Sequence, residues 1–419
     1  MLNRTFDSGP PAHMPIARDN LDALTGLRFV AALTIALGHC YQPWLELTGI
    51  GMPLFFTLSG FIIHYVYADV FAIGWRSATG EFAIARFSRI YPLYLVLLLA
   101  FFAFSSMGTT LATARNFPVM LAYLAGVWTW FPFQVDGQLL LDWKYHISWS
   151  VSTELFFYVA YAAVLYRLAR LRSIRQCLAL LIGFCLVVYA MFYLVYLTRD
   201  AWEAEVLRHF PRFVPRTDDF IVSFYRWLLY VSPYSRIFEF IGGVLTCQLF
   251  RLVSQRRNLI ERISTGTMAW LAVGTMAILF GLMHYFGAYS PWLAPGNRSF
   301  GGFIVNLHMN FLFAPACYLL IFSLALGGAA IGRLLASRPA RFLGDISYST
   351  YLSHPMAERT LMLTGLAVTS AALHLLAIMV VIYVTSFVLY RAVEVPAKRW
   401  LRQLLEPRRL EVALPGGRG

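Results

Sequence analysis

Long apolar stretches, separated by short polar segments rich in arginine, follow one another along the whole chain. Most are about 20 residues long, which is the length that an α-helix needs to cross the hydrocarbon core of a bilayer. The pattern therefore predicts an all-α fold, a polytopic bundle of transmembrane helices. The stretches cover residues 24–44, 52–73, 90–106, 118–133, 147–166, 177–197, 234–250, 266–286, 302–325, 342–364 and 369–390.

Basic clusters between these stretches set the predicted orientation, because loops rich in arginine and lysine tend to stay in the cytoplasm. Three stretches separate the clusters at Arg89 and Arg167, yet the chain must cross an even number of times there. The shortest, 118–133, is therefore predicted to be re-entrant or interfacial, which leaves about ten crossings with both termini cytoplasmic and 199–233 as the largest outer loop. The clusters comprise Arg76, Arg86 and Arg89; Arg167, Arg170, Arg172 and Arg175; Arg251, Arg256, Arg257 and Arg262; Arg333, Arg338 and Arg341; and Arg391, Lys398, Arg399, Arg402, Arg408 and Arg409.

Composition supports a membrane protein. Hydrophobic residues make up 59% of the 419 residues and charged residues only 13%, about half the charged share of a soluble protein. A soluble enzyme, a disordered hub and a nucleic-acid-binding domain are therefore disfavoured, although the net charge is +13. The five cysteines lack the spacing of a metal site, so no metal is expected. The predicted organisation is a cytoplasmic tail (1–20), a transmembrane domain (21–400) and a second cytoplasmic tail (401–419).

Ionisable side chains inside predicted helices mark the candidate functional residues, because such groups are costly in a membrane. Arg28 and His39 are eleven positions apart, which returns to nearly the same helix face after three turns. We interpret them as one inward stripe, against the alternative of an interfacial arginine and a packed histidine. Glu154 is estimated to lie at a depth close to that of His39. It could orient the imidazole, hold a substrate hydroxyl or pair with an arginine.

Further candidates have plain structural alternatives. His354 lies within a predicted helix, just before a proline that kinks it, and is a weaker candidate than His39. Arg236 and Glu239 are three residues apart, so an intrahelical ion pair is the simplest interpretation and a substrate contact is the alternative. Arg86 and Arg89 share this spacing near the cytoplasmic interface. Their guanidinium groups suit phosphate, but ordinary positive-inside charge or a lipid headgroup site would also explain them.

Seven segments of this chain resemble, in the same order, the motifs of the acyltransferase 3 family of membrane proteins. The resemblance runs from about residue 20 to residue 400, and it includes the Arg-x10-His spacing of Arg28 and His39. Two departures are Pro53, where many members carry a polar residue, and Leu155, where a second glutamate is common. The segments are 21–39, 51–61 (GMPLFFTLSGF), 86–92 (RFSRIYP), 149–158 (WSVSTELFFY), 236–243 (RIFEFIGG), 343–355 (LGDISYSTYLSHP) and 394–396 (EVP).

The resemblance implies an acyl-CoA-dependent O-acyltransferase, since the family moves acyl groups, often acetyl, from acyl-CoA to hydroxyls of surface carbohydrates, lipid-linked glycans or secondary metabolites. It implies His39 and Arg28 as a catalytic pair and Arg86 and Arg89 as acyl-CoA contacts. We add Glu154 as a third catalytic candidate, which could fix the tautomer of the imidazole. It also implies that no metal takes part. The candidate substrate contacts are Trp149, Ser150, Arg236, Glu239, Tyr351 and His354.

We therefore expect a multi-pass enzyme of the bacterial inner membrane that acetylates a surface glycan, such as an exopolysaccharide or lipopolysaccharide, or a lipid-linked oligosaccharide. His39 would be the general base, with a covalent acyl-histidine relay as the main variant. Because the chain ends after the last predicted helix, without the fused hydrolase-like domain of some members, we expect direct transfer to the acceptor. The expected partners are acyl-CoA, the acceptor and membrane lipid, without nucleic acid; a homodimer stays open.

Two other classes stay open. A glycan or lipid transporter would also place charges inside the membrane, along a pathway, although no inverted repeat is visible. A membrane-bound O-acyltransferase of the other superfamily would also use an intramembrane histidine. It would normally pair that histidine with an asparagine or aspartate on another helix, and the collinear motifs count against it.

Overall fold

The computed structural model describes residues 18–104, 113, 116–135, 138–139, 146–289, 294–327, 329–363 and 370–405. Within these ranges, seven helices are long and apolar enough to cross a membrane. The prediction of an all-α membrane bundle is thereby confirmed, whereas the number of crossings and the side on which the termini lie stay predictions.

Fifteen helices, which we label α1 to α15, carry most of the described chain. They are α1 (Arg18–Cys40), α2 (Thr48–Ile73), α3 (Trp75–Phe104), α4 (Phe117–Leu124), α5 (Trp149–Ala163), α6 (Ile174–His209), α7 (Pro233–Ser254), α8 (Thr265–Tyr289), α9 (Phe300–Leu307), α10 (Ala314–Ala325), α11 (Ala329–Leu335), α12 (Arg338–Asp345), α13 (Ser347–Leu363), α14 (Ala371–Leu389) and α15 (Val395–Leu405).

Short elements connect these helices. A two-residue hairpin pairs Gln134–Val135 with Gln138–Leu139 in antiparallel register. The remaining turns of helix are Gln42–Leu47, His146–Ser148 and Leu165–Arg170 (all 3₁₀), Trp227–Val231 and Tyr390–Glu394 (both π), and Phe224–Arg226 and Arg257–Ile260.

Helices α2 and α7 form the centre of the bundle, and two glycines allow their backbones to touch. A Cβ atom at Gly60 would lie 2.2 Å from the carbonyl oxygen of Phe240, and one at Gly243 would lie 2.2 Å from that of Thr57. Either contact is far inside van der Waals distance, so both positions require glycine. Small residues at helix crossings are a common solution in membranes, where close packing replaces the hydrophobic driving force of water.

Four of the predicted stretches do not form one continuous helix of spanning length. In 147–166, helix α5 has only 15 residues, and 342–364 is divided between α12, which ends at Asp345, and α13, which begins at Ser347. In 118–133, helix α4 ends at Leu124 and is about 12 Å long, far short of the ≈30 Å hydrocarbon core. In 302–325, helix α9 ends at Leu307 and α10 begins at Ala314. The expectation of a single helix there is wrong, because buried side chains from elsewhere bind the backbone of the intervening turn.

Buried polar side chains form hydrogen bonds with the backbone of the turn between α9 and α10. Asn310 donates to the carbonyl of Leu229 (2.8 Å) and accepts from the amide of Phe311 (2.6 Å). Arg236 of α7 donates to the carbonyl of Met309 (2.5 Å). Non-helical backbone is tolerated at membrane depth only where protein covers it and supplies its hydrogen bonds. The contacts to the Phe311 amide and the Met309 carbonyl do so, and the bond from Asn310 joins the turn to Leu229.

Ion pairs and hydrogen bonds define one end of the bundle, which we call the Arg28 end. Arg341 of α12 pairs with Asp22 at the start of α1 (2.5 Å), and Arg251 near the end of α7 pairs with Asp69 of α2. Gln248 of α7 donates to carbonyls of the turn at 165–171. The basic clusters at 167–175, 251–262 and 333–341 therefore share one end, which is the grouping that the charge pattern predicts.

The opposite end, which we call the His39 end, carries the long connection after α6. With 36 residues, α6 is about 54 Å long and extends well beyond a bilayer core. Its last turns hold a buried cluster, in which Arg216 pairs with Asp200 and Glu203. The backbone amide of Gly296 also donates to Asp200 (3.0 Å), so the loop before α9 joins the same cluster.

Candidate active site

A cavity of about 110 Å³ lies between α1, α2, α3, α5 and α13. Its wall mixes apolar residues with a concentrated set of polar and charged groups. It brings together side chains that are up to 327 positions apart in the sequence, from Leu24 to Tyr351. Its polar and charged residues are Thr25, Arg28, Ser59, Arg86, Arg89, Ser150, Glu154, Tyr158, Tyr348 and Tyr351.

Among the described residues, Glu154 is the only carboxylate in the wall of this cavity, and two hydroxyl groups donate hydrogen bonds to it. Ser59 of α2 donates to Glu154 Oε1 (2.7 Å), and Tyr158 donates to the same oxygen (2.7 Å). Tyr158 lies one helical turn after Glu154 on α5, so the local helix geometry makes this second contact. Two charge-assisted hydrogen bonds keep the carboxylate in place on the cavity wall. They do not place it at His39.

Three arginines face that single carboxylate, and within the described part of the chain none of them has a salt-bridge partner within 4.0 Å. Arg28 comes from α1, and Arg86 and Arg89 lie one turn apart on α3. The Arg86 guanidinium lies 5.3 Å from the Tyr67 ring centre and 5.9 Å from that of Phe82, and its Nε has no hydrogen-bond partner. The carboxylates of Asp345 and Glu394, outside the wall, also interact electrostatically with Arg28 and Arg89. The wall therefore presents guanidinium groups without a close ion-pair partner, and such groups suit a phosphate.

His39 does not line the cavity but lies in the last turn of α1, where it meets His354 of α13. Nδ1 of His39 is 2.9 Å from Nε2 of His354, and the two rings are nearly parallel, with centres 5.0 Å apart and an interplanar angle of 9°. Nδ1 of His354 is in turn 2.7 Å from the carbonyl oxygen of Tyr351. His354 is buried and His39 is half-buried. The two histidines therefore form one hydrogen-bonded unit.

Ser150 and Tyr351 line the cavity, whereas Trp149 packs beside it. The Tyr351 hydroxyl donates to the carbonyl of Ile147 (3.0 Å), which ties α13 to the start of α5. Trp149 lies edge-on against Phe56, with ring centres 5.9 Å apart. The structure thus brings Arg28, Arg86, Arg89, Glu154, Ser150 and Tyr351 around one space, and the aromatic side chain of Trp149 supports its wall.

Arg236 and Glu239 lie apart from the cavity and are almost completely buried, at 1% and 0% exposure. They pair with each other at 3.3 Å, and the guanidinium is surrounded by the rings of Phe56, Trp149 and Tyr230 at 5.3–5.7 Å. Together with the bond from Arg236 to the turn before α10, these contacts describe a structural ion pair. This is the simpler of the two interpretations open from the sequence.

Ser59 and Tyr158 are site residues that the sequence did not single out. Tyr158 could have been found, because it lies four positions after Glu154 and a helix brings such pairs together. Ser59 could not, because its contact with Glu154 depends on how α2 crosses α5. Among the described residues, no group of three or more histidine, cysteine, aspartate or glutamate side chains could hold a metal ion.

Comparison with known proteins bears on this arrangement. The model of the acyltransferase 3 family, described as an acyltransferase domain, matches residues 21–391. The chain is similar to the peptidoglycan O-acetyltransferase OatA of Listeria monocytogenes, at 23% identity over 347 residues that make up 81% of this chain and 49% of that protein. It is also similar to the O-acetyltransferase OatA of Staphylococcus aureus strain NCTC 8325, at 20% identity over 339 residues (80% and 50%). The chain thus spans about half the length of these curated relatives. No solved structure matches it.

Proposed function

Because this chain belongs to the acyltransferase 3 family, we propose that it is a membrane O-acyltransferase that moves an acetyl group from acetyl-CoA to a hydroxyl of a cell-surface glycan. The observation that carries the proposal is the cavity in which three arginines face one carboxylate already bound by two hydroxyls. Guanidinium groups that lack a close ion-pair partner can bind phosphate with their forked N–H groups, and the donor carries several phosphates.

The size of the cavity limits how much of the donor it holds. Its volume of about 110 Å³ is smaller than the ≈150 Å³ of a cavity that holds one benzene molecule. It takes one phosphate group or a length of the narrow thioester arm, and the nucleotide stays outside at the Arg28 end. Arg86 and Arg89 then bind phosphate with their forked N–H groups, and we place this end at the cytoplasmic face, where the basic clusters gather.

The chemistry is assigned to His39. Along α1, eleven residues separate it from Arg28, which corresponds to about 16 Å, so the thioester arm runs along α1 from the cavity to the His39 end. His39 takes the proton of the acceptor hydroxyl while that oxygen bonds to the thioester carbonyl carbon. The carbon–sulfur bond breaks, and the departing thiolate takes the proton from the imidazolium. In the alternative relay, His39 itself accepts the acyl group first.

The acceptor enters from the His39 end. The relatives include a protein named peptidoglycan O-acetyltransferase, and a hydroxyl of a cell-wall or other surface glycan is therefore our proposed acceptor class. In this arrangement the donor and the acceptor approach from opposite sides of the bacterial cytoplasmic membrane and meet at His39.

Release of free CoA tests the proposal. The purified protein in nanodiscs is mixed with acetyl-CoA and soluble glycan fragments, and thiol release and acetylated product are followed together. We expect both to appear in equal amounts. If glycan crosses the membrane of a proteoliposome and no CoA is released, the protein is a transporter and the proposed activity is wrong.

A further inference from the structure

A proline in α13 changes the hydrogen bonding of the turn that carries His354. In a regular helix the amide of residue 355 would donate to the carbonyl of residue 351, but Pro355 has no amide hydrogen. The carbonyl of Tyr351 therefore lacks its usual helical partner. The His354 ring occupies this position, with Nδ1 2.7 Å from the carbonyl oxygen.

This contact assigns the hydrogens of both rings. A carbonyl oxygen only accepts, so Nδ1 of His354 carries the hydrogen, and Nε2 of the neutral ring carries the lone pair. That lone pair is 2.9 Å from Nδ1 of His39, which must then be the donor. A neutral His39 is consequently left with its lone pair on Nε2. The tautomer of a histidine is set by the bond that its other nitrogen makes.

We propose that His354 is a positioning residue that fixes His39 in the tautomer with a basic Nε2, and that Pro355 makes this arrangement available by freeing the Tyr351 carbonyl. The inference rests on the proposed function, because the tautomer matters for turnover only if His39 takes the proton of the acceptor. It assigns to His354 the orienting role for which the sequence offered Glu154 as a candidate.

The surroundings hold this geometry. His354 is buried at 1% exposure, and its ring lies edge to edge with that of His39, at an interplanar angle of 9°. When His39 accepts the acceptor's proton at Nε2, its Nδ1–H continues to donate to His354, and no ring needs to turn. A His39 ring in the other tautomer would present an N–H to the hydroxyl and could not remove its proton.

Two substitutions of His354 by side chains of similar size distinguish a role in positioning His39 from a role in packing. In His354→Gln the side-chain oxygen can reach the place of Nε2 and accept from His39, whereas His354→Leu fills the space without an acceptor. We expect His354→Leu to lower kcat about 100-fold, at the lower bound of general-base catalysis, with KM for acetyl-CoA unchanged within about twofold. His354→Gln should retain kcat within about tenfold of the wild type.

Nitrogen NMR of histidine-labelled protein in nanodiscs gives a readout without substrate. We expect His39 to show a protonated Nδ1 and an unprotonated Nε2 in the wild type, and a mixture of tautomers in His354→Leu. The exposed His209, replaced by glutamine, is the matched control and should leave the His39 signals unchanged. Wild-type kcat in folded His354→Leu, equal losses in the Gln and Leu variants, or an unchanged His39 spectrum in His354→Leu would each overturn the inference. Failure of the proposed function would give a different result, because the wild-type protein would then release no CoA from acetyl-CoA.

Discussion

The two ends of the bundle bury arginines in opposite ways. At the His39 end, Arg216 pairs with Asp200 and Glu203. Arg199 donates to the carbonyls of Tyr196 (2.7 Å), Ala294 (3.2 Å) and Asn297. Each of these guanidinium groups meets carboxylates or carbonyls of the chain itself. They join α6 to the segments that follow it, so groups of the chain itself bind these guanidinium groups.

At the Arg28 end, the arginines of the cavity face a space instead of a partner. Arg28, Arg86 and Arg89 share one wall with Glu154, whose hydrogen bonds come from Ser59 and Tyr158. The carboxylates of Asp345 and Glu394 offset part of this positive charge from outside the wall, and a bound phosphate can pair with the guanidinium groups directly. The comparison teaches that an arginine with a partner maintains structure, whereas one facing a cavity is available for a ligand.

The largest expected effect is the loss of acetyl transfer when His39 is replaced. His39→Ala should reduce acetyl transfer by about 100- to 10,000-fold, the usual contribution of a general base, while acetyl-CoA binding at the Arg28 end stays within about twofold. Turnover and donor affinity are measured on the same nanodisc preparation. His39→Gln should not restore activity, because an amide cannot accept the proton. Normal turnover in folded His39→Ala would show that His39 is not the general base.

Substitution in the buried Arg216 cluster at the His39 end should lower the stability of the fold. Arg216→Ala leaves Glu203 buried without its charged partner, and breaking a buried pair typically costs about 3–5 kcal/mol. We expect a clearly lower thermal unfolding temperature in nanodiscs, with donor affinity unchanged in the fraction that stays folded. Arg208 is exposed near the end of α6 and pairs with exposed Glu205, so Arg208→Ala is the matched control and should unfold like the wild type. Equal stability of the two variants would show that the buried Arg216 cluster does not stabilise the fold.

Substitution of the cavity arginines should lower the affinity for the donor and leave the stability of the fold unchanged. The double variant Arg86→Ala, Arg89→Ala should weaken acetyl-CoA binding about 10- to 100-fold, since a hydrogen bond to a charged group contributes about 1.5–3 kcal/mol, without lowering the unfolding temperature. Isothermal titration gives the affinity. Lysine at both positions should restore it only in part, because an ammonium lacks the forked geometry.

A control variant removes charge without touching the cavity. Arg76 belongs to the same basic cluster in the sequence but is exposed, and Arg76→Ala should leave acetyl-CoA affinity within about twofold of the wild type. If the double variant also binds acetyl-CoA normally, Arg86 and Arg89 serve only the positive-inside charge pattern.

The smallest expected effect is that of Glu154→Gln. The amide oxygen still accepts from Ser59 and Tyr158, but the cavity loses its one negative charge, so acetyl-CoA affinity should rise slightly while kcat falls by less than in His39→Ala. Steady-state kinetics with varied acetyl-CoA measure both quantities. A loss of kcat as large as that of His39→Ala would show that Glu154 takes part in proton transfer and does not only shape the cavity.

Local patterns of the sequence were sufficient wherever a feature depends on one helix or on the bilayer. Apolar stretches of about 20 residues predicted the all-α membrane class, because a helix satisfies its own backbone in lipid. Helical spacing placed Arg86 and Arg89 on one turn of α3 and paired Arg236 with Glu239. The break in 302–325 was not predictable in the same way, since it is stabilised by Arg236 and other residues far away in the chain.

Which helices meet was decided only by the tertiary structure. The sequence by itself identified Arg28, His39, Glu154 and the two arginines of α3 as charged or titratable groups inside a membrane. Packing then placed Glu154 with the arginines and gave His39 a partner 315 residues further along the chain. The physical reason is that periodicity reports the face of a helix, whereas a contact between helices depends on crossings such as that of α2 and α7, where Gly60 and Gly243 let two backbones touch.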